Sequence, residues 1–197
     1  SNPGGKDWKK IADLEKEGLA LLALKENVPT TATEAALRRH VAEAYAKPLH
    51  LRHVAEAEQA YARAKAAAKT ADDQALTRLS YADFKFREAK DDGQKWIEEK
   101  KAAYQTVGLS AETKLAMLVS GVPGLDYETD GWTVVEKAPE LQRRYFERLL
   151  GWQGYPNKLQ LTWFDKRGDA THLLAVCDKA LSVCPEKERE YYRGRRR

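Results

Sequence analysis

A chain of 197 residues with 43% apolar and 32% charged residues can bury the core of one sizeable domain or two small ones without disulfides or metals. Its formal net charge of +4 is equalled by the arginines at 193, 195, 196 and 197, so the remainder is close to neutral and offers no broad basic face to nucleic acid. The longest aliphatic run, Leu19 to Leu24, is six residues, far short of the roughly 20 that cross a bilayer, which excludes a transmembrane helix.

The chain begins at Ser1 rather than Met, the start expected of a processed mature protein or of a tag remnant in Ser1-Asn2. Asp7 is placed to cap a first helix, in which Trp8, Ile11, Leu14, Leu21 and Leu22 recur at helical spacing. Leu19 and Leu24 widen that stripe, and Val28-Pro29 ends it. Thr31 and Glu34 have the spacing of a capping box opening a second helix that runs to about Lys47. Pro48 interrupts the pattern, because the residue before a proline is pushed out of the α region, and a third helix resumes around Leu49. The segment His40-Val-Ala-Glu-Ala44 is echoed as His53-Val-Ala-Glu-Ala57, but one pair over five residues does not make a solenoid.

Thr70 with Asp73 caps the longest predicted helix, 71–106. Its seam is Leu79, Ala82, Phe86, Ala89, Gly93, Trp96, Ala103 and Val107, broken by Lys100, and the preceding helix offers Val54, Ala57, Tyr61, Ala64 and Ala68 in the same rhythm. Alanine-rich seams let helices approach closely, predicting an antiparallel hairpin joined near Lys69-Thr70. Asp91-Asp92-Gly93 offers a break in the second arm; the seam keeps register across Gly93, so a continuous arm is expected.

Ser110 starts a short helix through Leu115, Leu118 and Val119, and Pro123-Gly124 supplies the residues of a type II turn. Trp132 to Val135 is expected as a loop or brief strand. Pro139 opens a helix carrying Leu141, Tyr145, Leu149 and Leu150 that Gly151 should stop. Leu159, Leu161 and Trp163 alternate like a strand whose one available mate is the 132–135 patch. Asp169 can cap a penultimate helix through Leu173, Leu174, Cys177, Leu181 and Cys184, before Pro185 resets the chain into a short turn with Tyr191 and Tyr192. Two cysteines seven apart on a helix lie about two turns from each other, which favours buried thiols over a disulfide. The expected architecture is mainly α: a long antiparallel helical hairpin in a region 1–109, a smaller aromatic-rich helical region 110–192 with short irregular or strand segments, and a basic tail 193–197.

No constellation for chemistry emerges. His50 and His53 share a helix face, but no third metal ligand follows at the required spacing. Acidic residues alternate with lysines as on solvated helices, Gly121, Gly124 and Gly131 do not form a phosphate loop, and no serine sits in a nucleophile elbow. A non-catalytic protein without metal or cofactor is therefore expected. The second half is rich in large rings, with Trp132, Trp152, Tyr155, Trp163 and Phe164 within about thirty residues. A small core stabilised by rings is the first reading, ahead of a ligand groove or an interface. Partner contacts are expected at Leu79, Phe86 and Trp96, at Trp132, Trp152 and Trp163, and at Arg193, Arg195, Arg196 and Arg197.

The Asp7-Trp8-Lys9-Lys10-Ile11 start resembles the Asp-Trp start of the peripheral-stalk subunit d of mitochondrial ATP synthase, and the hairpin of residues 50–106 is similar in style to stalk helices. This likeness covers about half the chain. It implies an accessory subunit of the protist type, mitochondrial and on the matrix side, peripheral to a membrane complex. Such a subunit would brace other protein subunits without binding nucleotide or a small-molecule substrate. A different class is an RNA-associated accessory protein of an organellar ribosome, in which the arginine tail meets phosphates and binding falls with salt.

Overall fold

The computed structural model describes residues 7–24, 32–46, 53–88, 93–153, 174, 177, 178, 181, 182 and 186–195, and among these the secondary structure is helical with no strand. The chain forms two compact units, 1–126 and 127–197. The sequence reading places the division at 109/110. The segment 110–126 falls in the first unit because its helix packs on a helix of the hairpin region.

The first unit holds α1 (Asp7–Leu24), α2 (Glu34–Tyr45), α3 (Val54–Ala67), α4 (Ala71–Glu88), α5 (Gly93–Tyr104) and α6 (Ala111–Val119). From α1 to α5, successive helices pack antiparallel. Glu15 of α1 reaches Arg38 of α2 at 3.2 Å while Gly18 lies against Leu37, and Tyr45 at the end of α2 meets His53 at the start of α3. On α4, Tyr61 of α3 meets Ser80, and Glu58 meets Lys85. The expected hairpin joined near Lys69-Thr70 is thus present, between Ala67 and Ala71.

The continuous arm 71–106 is not. Arg78 pairs with Glu99 at 2.7 Å, Asp83 with Lys100 at 2.5 Å, and Tyr81 packs edge-on against Trp96. Residues about 20 apart on one straight helix would be some 30 Å from each other, so α5 folds back along α4. The seam holds in part: Leu79, Ala82 and Ala103 are buried, whereas Phe86 and Val107 are exposed, since a one-dimensional spacing cannot distinguish one long helix from two that fold together.

Helix α4 lies between two layers. One face carries Phe84 into a core with Val41, Ala42 and Tyr45 of α2 and Ala57, Ala60 and Tyr61 of α3. Another carries Ala75 and Leu79 into a core with Ala103, Met117 and Val122. Alanine at 42, 57, 60 and 64 is almost wholly buried, which brings α2 and α3 close together. Lys100, the interruption of the expected seam, is buried because its ammonium has the Asp83 carboxylate beside it.

The local signals mostly hold, with shifts of a residue or two. Thr33, not Thr31, caps α2, accepting from the Ala36 N–H at 3.0 Å; Thr31 lies outside the described residues. Thr70 Oγ1 accepts from the Asp73 N–H at 3.1 Å and Ser110 Oγ from the Thr113 N–H at 3.1 Å, as predicted. Helix α1 starts at Asp7 itself. The turn at Pro123-Gly124 is closed by a bond from the Leu125 N–H to the Val122 carbonyl at 3.1 Å, with Gly124 at φ 81°, the left-handed position a type II turn reserves for glycine.

The HVAEA echo does not mark equivalent positions. His40 is inside α2, whereas His53 is the residue before α3, so Val41 is buried and its counterpart Val54 is exposed.

The second unit holds α7 (Thr129–Val135), α8 (Pro139–Gln153) and α9 (Glu186–Arg195), with helical backbone also at 174, 177, 178, 181 and 182. Trp132 to Val135 is helical rather than a loop or strand. A helix satisfies its own backbone groups, and the Trp132 carbonyl accepts from the Glu136 N–H at 2.9 Å. Helix α8 passes through Gly151, since glycine permits a left-handed cap without imposing one. Where a short turn is expected after Pro185, α9 is a helix opened by Glu186, whose carboxylate suits its N-terminal dipole. The expected strand at Leu159, Leu161 and Trp163 lies outside the described residues, as does Cys184; Cys177 is buried.

Candidate functional site

The residues expected to contact partners do not share one environment. Leu79 is 3% exposed inside the α4–α5–α6 core and is a packing residue of its own unit. Phe86 is exposed, with its ring edge over Gly93. Trp96 is half-buried against Tyr81. In the second unit Trp132 packs on Tyr145 and Phe146, whose rings are 1% exposed or less, so it belongs to a ring core. Tyr127 lies against Tyr145 at 5.2 Å, and the Tyr145 hydroxyl donates to the Glu128 carbonyl. Burial raises the Tyr127 hydroxyl above its ordinary pKa, with Arg148 and Arg144 opposing it. Of the rings grouped in the sequence, Trp132 alone has a described side chain, and it lies in this core beside Tyr145 and Phe146. The Trp152 side chain, Trp163, Arg196 and Arg197 lie outside the described residues. Arg193 is exposed on α9, which continues to Arg195.

Two surface features of the first unit stand out instead. The first is on α1, whose predicted single stripe divides. Ile11 and Gly18 face the bundle, and Glu15 is buried between Arg38 of α2 at 3.2 Å and Arg63 of α3 at 3.0 Å. Leu14, Leu21 and Leu24, by contrast, are 61%, 62% and 66% exposed. Their spacing is helical, but periodicity reports a face and not whether anything covers it.

The second is a groove of about 360 Å³ floored by α4 and walled by α3 and α5. Tyr81 and Trp96 meet edge to face at 5.9 Å along it. The Lys65 ammonium sits 3.9 Å from the centre of the Tyr81 ring, and that of Lys95 5.1 Å from the centre of the Trp96 ring. Arg78 is engaged with Glu99, and Thr77 is buried at the base with its hydroxyl unpartnered among the described residues. Sequence reading missed this groove, because Lys65 and Lys95 belong to helices that only the fold-back at Gly93 brings together.

A polar relay joins three helices: Tyr61 bonds Ser80 at 2.8 Å, and the Ser80 hydroxyl donates to the half-buried Glu43 at 2.8 Å. Burial pushes the Glu43 carboxyl upward, but hydrogen bonds from His40 and Ser80, with the charge of Arg39, outweigh it and hold the group below its ordinary value. His53 Nδ1 is 3.3 Å from Glu56, and His50 lies outside the described residues. Among the described residues no group of three or more His, Cys, Asp or Glu side chains is placed to hold a metal, and no helix is long and apolar enough to cross a membrane.

The fold and site define a helical-bundle protein with an exposed leucine stripe and a basic aromatic groove. No family model, curated protein or solved structure matches the chain.

Proposed function

We propose that this chain is a non-catalytic accessory subunit that braces a larger assembly through its helix faces. The observation that carries this reading is the leucine stripe of α1. Three leucines, each more than half exposed at helical spacing, line a flank of α1 beside the face that is pinned to α2 and α3. Covering a leucine fully is worth roughly 1.5–3 kcal/mol, so a partner surface gains substantially by seating on this face. A helix face docked into an apolar groove of a partner is an established recognition mode. The Asp7-Trp8 start, which resembles that of the peripheral-stalk subunit d, points to mitochondrial ATP synthase as the assembly, with the subunit on the matrix side of the membrane complex.

The test is native electrophoresis of solubilised membranes from cells expressing a tagged chain. The natural sequence should migrate with ATP synthase, whereas Leu14→Glu, Leu21→Glu and Leu24→Glu together should release a monomer with unchanged circular dichroism. Migration of the unaltered chain as a free monomer would overturn the reading.

A further inference from the structure

We propose that the groove between α3, α4 and α5 is a second docking site, taking an acidic segment of a neighbouring protein. One carboxylate side chain would meet Lys65 and Lys95 while an apolar side chain lies along Tyr81 and Trp96. This rests on the reading of the chain as a packing subunit and names the chemistry of a further contact.

Charge complementarity supplies the occupant. The groove walls carry three cations, Lys65, Arg78 and Lys95, against one carboxylate, Glu99, and that carboxylate is committed to Arg78 at 2.7 Å. Lys65 and Lys95 have ring faces as neighbours and no ion-pair partner among the described residues. The three cations act on one small region. The Arg78 hydrogen bond lowers the Glu99 carboxyl, burial works against it, and the charges of Arg78, Lys65 and Lys95 lower it further.

The ring surfaces favour a protein occupant over a bare phosphate. Tyr, Trp and Arg are the side chains that anchor protein interfaces, each offering a large apolar area with a polar or charged end. A volume of about 360 Å³ holds a few side chains of an extended or helical segment, not a whole helix.

The 197-residue chain titrated with a fluorescein-labelled Glu-Leu-Glu-Glu-Leu-Glu peptide, read by fluorescence anisotropy, tests the site. Saturable binding is expected. Lys65→Glu with Lys95→Glu should weaken it by more than about tenfold, or ~1.4 kcal/mol. Trp96→Ala should weaken it too, whereas Lys16→Glu with Lys137→Glu, exposed residues elsewhere, changes net charge equally and should leave it intact. Three results would overturn the proposal: no saturable binding, equal weakening by both lysine pairs, or inorganic pyrophosphate displacing the peptide and binding more tightly, which would make the groove a phosphate site. The titration needs no assembled complex and the electrophoresis does not read the peptide, so failure of this proposal and failure of the α1 reading are seen separately.

Discussion

Thr33 donates its hydroxyl proton to the Asp73 carboxylate at 2.8 Å across forty residues of sequence, tying the cap of α2 to the first turn of α4. The adjacent Asp72 accepts from the Ser110 N–H at 2.9 Å, at the cap of α6. Three helix N-termini therefore converge on two carboxylates. Their positive dipole ends would repel one another without the negative charge between them. Asp73→Ala should cost about 1–2 kcal/mol, combining a lost hydrogen bond with a lost dipole partner, as measured by urea denaturation. A cost near zero would show that Thr33 is held by its bond to Ala36 alone.

Glu15 is the strut between α1 and the bundle, with Arg38 and Arg63 converging on its two oxygens. Removing one member of a buried ion cluster leaves charge uncompensated, but Arg63 is 42% exposed and water screens part of the effect. Glu15→Ala should lower stability by about 2 kcal/mol and increase amide exchange in α1 before the rest of the unit. Uniform exchange across the bundle would contradict the strut role.

Alkaline pH should unfold the first unit through two tyrosines. Burial pushes the Tyr61 hydroxyl up to about 12 despite its bond to Ser80, and burial with the hydrogen bond to Glu58 does the same for Tyr81. The folded state then holds these protons more tightly than the unfolded chain, where tyrosine titrates near 10. Their contribution is complete below pH ~10 and is lost as pH rises toward 12. Tyrosinate absorbance combined with circular dichroism should show steep destabilisation across that interval, shallower in Tyr61→Phe.

Thr77 invites the opposite change. Its hydroxyl is buried and unpartnered among the described residues, carrying a desolvation cost with no bond to offset it. Thr77→Val keeps the shape and should raise stability by about 1 kcal/mol in thermal or denaturant melts. A loss would mean that the hydroxyl has a partner in solution.

The helices and caps were legible because they depend on nearest neighbours along the chain. Thr70 with Asp73, Ser110 and Pro123-Gly124 each act within a turn, and each behaves as its spacing predicts. What escaped were matters of pairing in space. The seam through Leu79, Gly93 and Trp96 is compatible with one long helix or with two that fold together, and only contacts such as Asp83 with Lys100 distinguish them. Phe84 and Thr77 were overlooked because α4 buries two faces, and a search for a single stripe finds one. The exposure of the α1 leucines and the convergence of the groove lysines were not legible for the same reason: covering and convergence are properties of the assembled bundle.

The central position of α4 has a consequence for synthesis. As the chain leaves the ribosome, α2 and α3 can pair early, but the Tyr61 layer stays open to water until Phe84 emerges. The second layer waits longer still, for Ala103 and Met117. A polypeptide halted before α4 is complete would display an alanine-lined apolar surface to chaperones or to other nascent chains, so α4 is the checkpoint at which the first unit closes both of its cores.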